Sequence, residues 1–409
     1  MRKNIVKLHP IFNYKVMNFN STETQIQIAE MIRDFGIKHI RPNMMEWDEQ
    51  QIFPVEVFKK LGELGLMGVL VPEEYGGSGL GYFEYVTVVS EIAKICSSVG
   101  LSVAAHNSLC VGHILYFGNE EQKKKYLPKL ASGEFIGAWG LTEANTGSDA
   151  MRMKTTAVKD GNEWVINGNK VYTSGANQSD YVWLACRTDT EAPKHQGITL
   201  IIVPTNTPGF EWTPIVTVGG VMTTATYYND VRVPKENVIG EINGGWKLIT
   251  MQLNHERVGL AALSGLTERL LDDVTTWCRV TPSGTGNDQT MIDVPWVQAD
   301  LAKSHALLDA IRLMTWKLAK AVSDNTLGPA EASGVKVFGT EKAVEVYRIL
   351  QGILGPVSHL REGSEGAVIH GEVERAARAA QINTFGGGVN EIQRELVATA
   401  GLGLVRSTR

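Results

Sequence analysis

Cysteine is scarce in this chain. Only Cys96, Cys110, Cys186 and Cys278 occur, and none stands in a CxxC or HxxC spacing. That excludes a disulfide scaffold and a zinc motif, and points to a reducing cytoplasm. Clustered positive charge is missing too. The 39 Lys and Arg against 44 Asp and Glu leave a net charge of -5 and a pI near 6.0. Nucleic acid is thereby excluded as the main partner, because neutralising phosphates takes clustered cations. No apolar run approaches the roughly 20 residues that span a bilayer. The opening stretch, MRKNIVKLHPIFNYKVMNFN, is basic but holds no uninterrupted apolar run of signal-peptide length. A cytoplasmic protein is expected, with residues 1–18 as a flexible extension. Repeats and low-complexity tracts are absent as well.

What is present is an ordinary globular mixture, 43% apolar and 20% charged, over 409 residues. That length calls for two or three domains rather than one core. Residues 19–134 show apolar spacing of three and four, as in VFKKLGELGLMGVL and YVTVVSEIAKICSSVGLSVAAHNSLCVGHILYF, and are expected to be helical. The glycine-rich VPEEYGGSGL between them reads as a loop. Over 135–244 the period changes to two. EWVINGNKVYTSG reads as a hairpin turning at Asn167-Gly168, and DYVWLACRT and GITLIIVP as short strands. Over 245–409 the helical period returns. The fold class expected is α+β, with an N-terminal helical domain, a middle β-barrel-like domain and a C-terminal four-helix bundle.

GAWGLTEANTGSDA (Gly137 to Ala150) opens the β-region. KVYTSG follows, then VRVPKENVIGEINGGWKL leading into a long helix, then NEIQRELVA near the end. By these four segments, in this order, the chain from about residue 25 onward resembles the acyl-CoA dehydrogenases. The resemblance implies FAD bound at a dimer interface and α,β-dehydrogenation of an acyl-CoA thioester. In that reaction a base takes the α-proton while the β-hydrogen leaves as hydride to flavin N5. The site must hydrogen-bond the thioester oxygen, a donor worth about 3 kcal/mol, and hold base, α-carbon and flavin in line. The resemblance implies that Trp139, Leu141 and Thr142 lie against the flavin, with Tyr172 and Thr173 on its other side. Ser148 would face the CoA moiety. By itself, TGSD is as compatible with an ordinary Asx turn.

Many members carry the base as a glutamate in a YEGTSEIQR-like C-terminal loop. Aligned on EIQR, this chain offers Gly387 there, and Val389 where a threonine usually helps the flavin. Glycine transfers no proton, but the backbone N–H groups of Gly387 and Gly388 can still approach and bond the thioester oxygen. A minority of the family, isovaleryl-CoA and long-chain dehydrogenases among them, place the base on the long helix after the β-domain. Here that helix reads MQLNHERVGLAAL, and Glu256 holds the matching position. Its helical neighbours Gln252, Leu253, Gly259 and Leu260 offer no cation, so burial would raise its pKa towards that of a general base. Asn254 and Arg257 fall on substrate-facing positions by resemblance; a helix-surface role is the plainer alternative for all three.

A second departure concerns the partner subunit. Where the family has an RxQFG segment whose arginine reaches across the dimer to the FAD pyrophosphate, polar turn residues replace both the arginine and the phenylalanine in CRVTPSGTGNDQTMIDVPWVQADLA. The glycine-rich QxFGGxG loop is LQGILGPVSHLREGS. This resembles the heterotetrameric acyl-CoA dehydrogenases of actinobacterial steroid catabolism, and implies a catalytic subunit of an α2β2 enzyme acting in β-oxidation of a steroid side-chain CoA. A homo-oligomer is the alternative. Electron-transferring flavoprotein is the acceptor the family implies, and no metal is expected. Two rival functions stay open: a non-catalytic partner subunit, favoured by the lost glutamate, and an acyl-CoA oxidase, disfavoured by chain length.

Overall fold

The computed structural model describes residues 20–262, 264–284 and 288–405; the side chains of 254–257 and 260–262 fall outside that description, as does the extension expected over 1–18. Helices α1 (Glu23–His39), α2 (Met44–Gln50), α3 (Val55–Glu63), α4 (Tyr82–Ile95), α5 (Ser97–Ala105), α6 (Gly112–Phe117) and α7 (Glu120–Ala131) come first. Two starts are written in the sequence. Thr22 caps α1 in a box with Gln25, and Asn119 caps α7 with Gln122, each side chain satisfying an orphan amide. Gln122 also donates to the carbonyls of Glu236 (2.9 Å) and Val238 (2.7 Å), so the cap of α7 fixes the exit of the sheet. Between α5 and α6 the helix widens into a π turn, His106–Val111.

The middle region holds β1 (Gly137–Gly140), β2 (Thr156–Asp160), β3 (Glu163–Lys170), β4 (Tyr181–Arg187), β5 (Ile198–Pro204), β6 (Phe210–Val216), β7 (Met222–Pro234) and β8 (Val238–Ile239). Their order is β6-β7-β3-β2-β4-β5-β8, with β1 parallel to β4. Strand alternation divides β4 and β5 between two cores. Val182, Leu184, Ile201 and Val203 face the sheet's own interior, while Trp183, Ala185, Leu200 and Ile202 face the helices. Both strands are therefore covered on both faces, which explains their continuous apolar runs. Gly137 is squeezed in this layer: a Cβ there would stand 2.3 Å from the Trp183 ring and 2.7 Å from Cys110 Sγ.

The hairpin turn lies elsewhere than expected. Strands β2 and β3 turn at Gly161-Asn162, where Gly161 has φ +61°, and Asn167-Gly168 sits inside β3 as a bulge against β7. The Asn167 amide exchanges hydrogen bonds with Asp230, and a Cβ on Gly168 would stand 2.6 Å from Thr155 Oγ1. Tertiary pairing has put a turn-forming dipeptide to use as a strand irregularity.

After the sheet come α8 (Gly245–Ala262), α9 (Gly265–Val280), α10 (Pro295–Ser323) and α11 (Pro329–Leu354), which pack as a four-helix bundle, then α12 (Glu372–Ala379) and α13 (Asn390–Leu396). Helix α8 belongs to more than one core. Its Leu248 and Ile249 join the layer under β4 and β5, and its Val258 joins the core of the first helices. No described helix is long and apolar enough to cross a membrane.

Candidate active site

The loop that leaves β1 is held from beneath. Lys170, wholly buried at the end of β3, donates to the Leu141 carbonyl (3.0 Å) and to Glu143 Oε1 (2.9 Å). Glu143 also accepts the amides of Lys154 (2.6 Å) and Thr155 (2.9 Å). Burial works against its charge most strongly, but the Lys170 ammonium and those amides together hold its carboxyl below the ordinary value. Burial meanwhile lowers the Lys170 pKa against the pull of Glu143; the paired, charged state is favoured because each partner satisfies the other. The Thr142 carbonyl accepts from Val171 N (2.8 Å). Leu141 and Thr142 thus sit half-buried on a fixed backbone, beside the start of the 172–174 segment.

Trp139 is half-buried and stacks on His113, with ring centroids 4.8 Å apart and planes at 17°. His113 donates from Nδ1 to the Leu109 carbonyl, and its Nε2 has no partner among the described residues. Burial lowers its pKa to about 4, so the imidazole is neutral at pH 7.

Tyr172 is 61% exposed, with φ +60°. Thr173 departs from expectation. It is fully buried, with its hydroxyl 3.2 Å from Thr226 Oγ1 and its backbone bonded to Thr224, and so has no surface to offer a ligand. The accessible hydroxyl is one residue on. Ser174 is exposed, 2.8 Å from Thr223 Oγ1. Sequence reasoning missed it, although alternation counted from Tyr172 points to it. An exposed aromatic ring and an exposed hydroxyl beside the rigid Leu141–Thr142 backbone make a set that suits a planar heteroaromatic ring such as a flavin.

Glu256 lies on α8, as expected; its side chain and those of Asn254 and Arg257 are outside the described residues. The position of Glu256 is set by two neighbours. Gln252, one turn earlier, donates from Nε2 to the Ser108 carbonyl of the π turn, whose widened ladder leaves a carbonyl to be satisfied from outside. Gly259, three residues later, meets the first helices so closely that a Cβ would stand 2.5 Å from Tyr85 Oη and 3.1 Å from Ala104 Cβ. Positions 252, 256 and 259 share one helical face. That face is the one packed against the π turn and α4–α5, where Gln252, Tyr85 and Ser108 line a small cavity.

The loop carrying Gly387, Gly388 and Val389 is anchored on α11. Lys336, 2% exposed, donates to the carbonyls of Thr384 (3.1 Å) and Gly388 (2.7 Å) and to Asn390 Oδ1 (2.7 Å). Asn390 in turn donates to Thr340 Oγ1 (3.1 Å) and Glu341 Oε1 (3.0 Å). Gly387 (φ +67°) and Gly388 (φ +97°) supply the left-handed backbone that this course demands. Val389 is half-buried and precedes α13.

Ser148 is exposed in a loop whose Asp149 pairs with Lys194 (2.9 Å) and Arg152 (3.2 Å). Arg187 was not foreseen. Its guanidinium donates to the carbonyls of Met151 (2.6 Å), Met153 (3.3 Å) and Lys194 (3.1 Å), joining that loop to the next. The arginine counted as lost from the cross-dimer segment also needs correcting. Arg279 is present and exposed in the last turn of α9, although Pro282 and Ser283 follow where Phe-Gly was expected. No cluster of three metal-ligating side chains occurs among the described residues.

Three family models match in order: acyl-CoA dehydrogenase N-terminal domain over residues 22–134, middle domain over 138–231, and C-terminal domain over 243–402. Acyl-CoA dehydrogenase FadE26 of Mycobacterium tuberculosis is 43% identical over 360 residues, 87% of this chain and 88% of its own. Among solved structures, the Tcur3481–Tcur3483 steroid ACAD is 45% identical, with a TM-score of 0.87 over 96% of this chain and 100% of its own. The ChsE4–ChsE5 complex of Mycobacterium tuberculosis is 39% identical, with a TM-score of 0.86 over 96% and 100%.

Proposed function

Because the chain belongs to the acyl-CoA dehydrogenase family, oxidoreductases acting on the CH–CH group of acyl-CoA, we propose that it binds FAD and that Glu256 is its catalytic base. When bound, FAD supplies the acceptor for the β-hydride. Trp139, Leu141, Thr142 and Tyr172 would hold it from this chain, with Ser174 in place of Thr173 as the hydroxyl and Val389 at its edge. Gly387 and Gly388 would donate backbone N–H groups to the thioester oxygen as it gains enolate charge. Glu256 would take the α-proton, Asn254 and Arg257 would flank the acyl group, and Ser148 would meet the CoA.

One observation carries this reading: position 256 shares a helical face with Gln252 and Gly259, against the cavity that Gln252 lines. A carboxylate placed there would stand in for the one missing at Gly387 as the general base. Steroid side-chain CoA substrates are supported by the similarity to a steroid ACAD. Pairing with a related but unlike subunit is supported by the similarity to the ChsE4–ChsE5 complex and by the altered 278–302 and 350–364 segments. Arg279 keeps a self-paired dimer open as the second arrangement. Electron-transferring flavoprotein is the acceptor by family analogy. The domain limits that go with this reading are 19–134, 135–244 and 245–409.

Anaerobic mixing of the FAD-loaded protein with acyl-CoAs tests it, alone and with a co-expressed relative. Bleaching of the flavin absorbance is the result expected. Failure of every acyl-CoA to bleach it in both preparations contradicts dehydrogenation. Full, stable FAD loading of the lone chain contradicts the need for an unlike partner.

A further inference from the structure

The turn that joins β6 to β7, residues 217–221, has little side chain with which to pack. Gly219 and Gly220 have none, and Val218 is 91% exposed. The turn is held through its backbone instead: three successive carbonyls accept from three different side chains. Arg378 donates to Val218 (3.1 Å), Arg375 to Gly219 (2.6 Å) and Gln51 to Gly220 (2.5 Å). The approach is close. A Cβ on Gly220 would stand 2.8 Å from Arg378 Nη1 and 3.2 Å from Arg375 Cζ. Both arginines stand on α12 and are themselves fixed. Arg375 forks onto Asp48 of α2 through Nε and Nη2, with both side chains mostly buried, and Arg378 pairs with Glu374 (2.7 Å). Gln51 closes the same α2. At the start of α12, Glu372 accepts from Arg41 (2.6 Å) and Arg269. The first helices, the sheet and the closing bundle thus meet at α12.

Two paths leave this junction, one to each half of the proposed site. Just beyond Gly220, Thr223 of β7 meets Ser174 (2.8 Å), and Thr224 exchanges hydrogen bonds with the Thr173 backbone (2.6 and 2.9 Å). In the other direction α12 runs straight into the turn Ala380–Thr384 and on to Gly387 and Gly388, with the Ile382 carbonyl accepting from Gly386 N (2.8 Å). One tied piece of structure therefore separates the flavin-side hydroxyl from the thioester-side N–H groups.

We propose that Arg375 and Asp48 are positioning residues for the dehydrogenation. Through the Gly219 carbonyl they set the spacing between Ser174 and the glycine loop, and with it how the acyl group lies over the flavin. This rests on the reading that puts the flavin against Ser174 and the thioester on Gly387 and Gly388. Such a reaction tolerates little misplacement, since about 1 Å costs up to about a hundredfold in rate. Arg375→Met releases the Gly219 carbonyl and leaves Asp48 without its fork. Asp48→Asn keeps the shape and weakens the fork by removing its charge.

The test compares the FAD-loaded wild type with Arg375→Met, Asp48→Asn and a control, Thr267→Val. The control removes a buried hydrogen bond to Tyr347 (2.9 Å) elsewhere in the bundle and reports plain destabilisation. Three quantities are read: Tm, the rate of anaerobic flavin bleaching at saturating acyl-CoA, and the long-wavelength band given by acetoacetyl-CoA. The β-carbon of acetoacetyl-CoA is a ketone with no hydride to give, so that band reports only how its enolate lies on the oxidised flavin. The acyl-CoA is whichever bleaches the wild type fastest among butyryl-CoA, palmitoyl-CoA and a steroid side-chain CoA. In Arg375→Met and Asp48→Asn, FAD content and acyl-CoA affinity are expected to stay near wild type, bleaching to slow about ten- to a hundredfold, and the band to weaken or shift. Thr267→Val is expected to lose Tm and keep both. If Arg375→Met does not fold, Asp48→Asn alone decides. Bleaching and band equal to wild type in the folded variants overturn the positioning role alone. An equal loss in Thr267→Val overturns it too, because that reports general loosening. A wild type that none of the three acyl-CoAs bleaches overturns the proposed function and the positioning role together, before any variant is made.

Discussion

Lys170 and Glu143 stand 27 residues apart in the chain, yet meet 2.9 Å apart with both side chains buried. The pair fixes the Leu141–Thr142 backbone from inside the sheet. Removing the cation alone leaves a buried carboxylate with only its two amide donors. Lys170→Met is expected to cost about 3–5 kcal/mol and to lower FAD retention. Glu143→Gln, which strands a lysine but keeps hydrogen-bonding capacity, should cost less. Thermal unfolding and flavin content of the purified variants check this, and a Lys170→Met protein with wild-type Tm would refute the assignment.

Thr173 and Ser174 should separate cleanly. Thr173→Val removes a buried hydroxyl bonded to Thr226 and is expected to lower stability by about 1 kcal/mol, with the flavin spectrum unchanged. Ser174→Ala should leave stability within about 0.5 kcal/mol and instead shift the flavin spectrum and potential. A spectral change in Thr173→Val and none in Ser174→Ala would reverse the assignment.

Acid should weaken the fold through its buried histidines. Burial lowers His106 and His113 from 6.5 to about 4. Below pH 6.5 the unfolded chain binds protons that the folded one excludes, so stability is complete above that value and falls as the pH drops towards 4. The expected slope is about 1.4 kcal/mol per pH unit for each histidine. Glu143 adds to the loss as the pH falls further, below the ordinary carboxylate value of 4.5. Replacing His113 with phenylalanine, which can keep the stack on Trp139, should reduce the slope of stability against pH between 6.5 and 5. An unchanged slope would show that His113 is already charged in the folded protein.

Local periodicity made much of this architecture legible. The 29-residue α10 and the 26-residue α11 follow their apolar spacing, and β4 and β5 follow their β-branched runs. Asn167-Gly168 misled because the same dipeptide serves a hairpin or a bulge, and only pairing with β7 decides between them. The Lys170–Glu143 pair, the grip of Lys336 on the glycine loop and the carbonyl cage of Arg187 were illegible for a related reason. Each joins residues distant in sequence, and the backbone carbonyls that take part carry no side-chain signature. The burial of Thr173 was illegible because a run of hydroxyl residues does not declare which one faces inward. Arg279 was overlooked because the residues after it depart from the family's Phe-Gly.

Lys336 should hold the loop of Gly387 and Gly388 in place for the thioester. Lys336→Met is expected to cost on the order of 2–3 kcal/mol and to lower kcat more than it raises KM. Lys336→Arg should recover part of the rate by donating to some of the same carbonyls. Equal activity in the wild type and Lys336→Met would remove the lysine from the account.

The central claim is that the α-proton goes to Glu256. Anaerobic stopped-flow mixing of FAD-loaded Glu256→Gln with an acyl-CoA that bleaches the wild-type flavin measures this directly. The account predicts normal FAD content, ligand binding still visible as a spectral shift, and bleaching slowed by at least about a hundredfold. Bleaching at the wild-type rate in Glu256→Gln would contradict it.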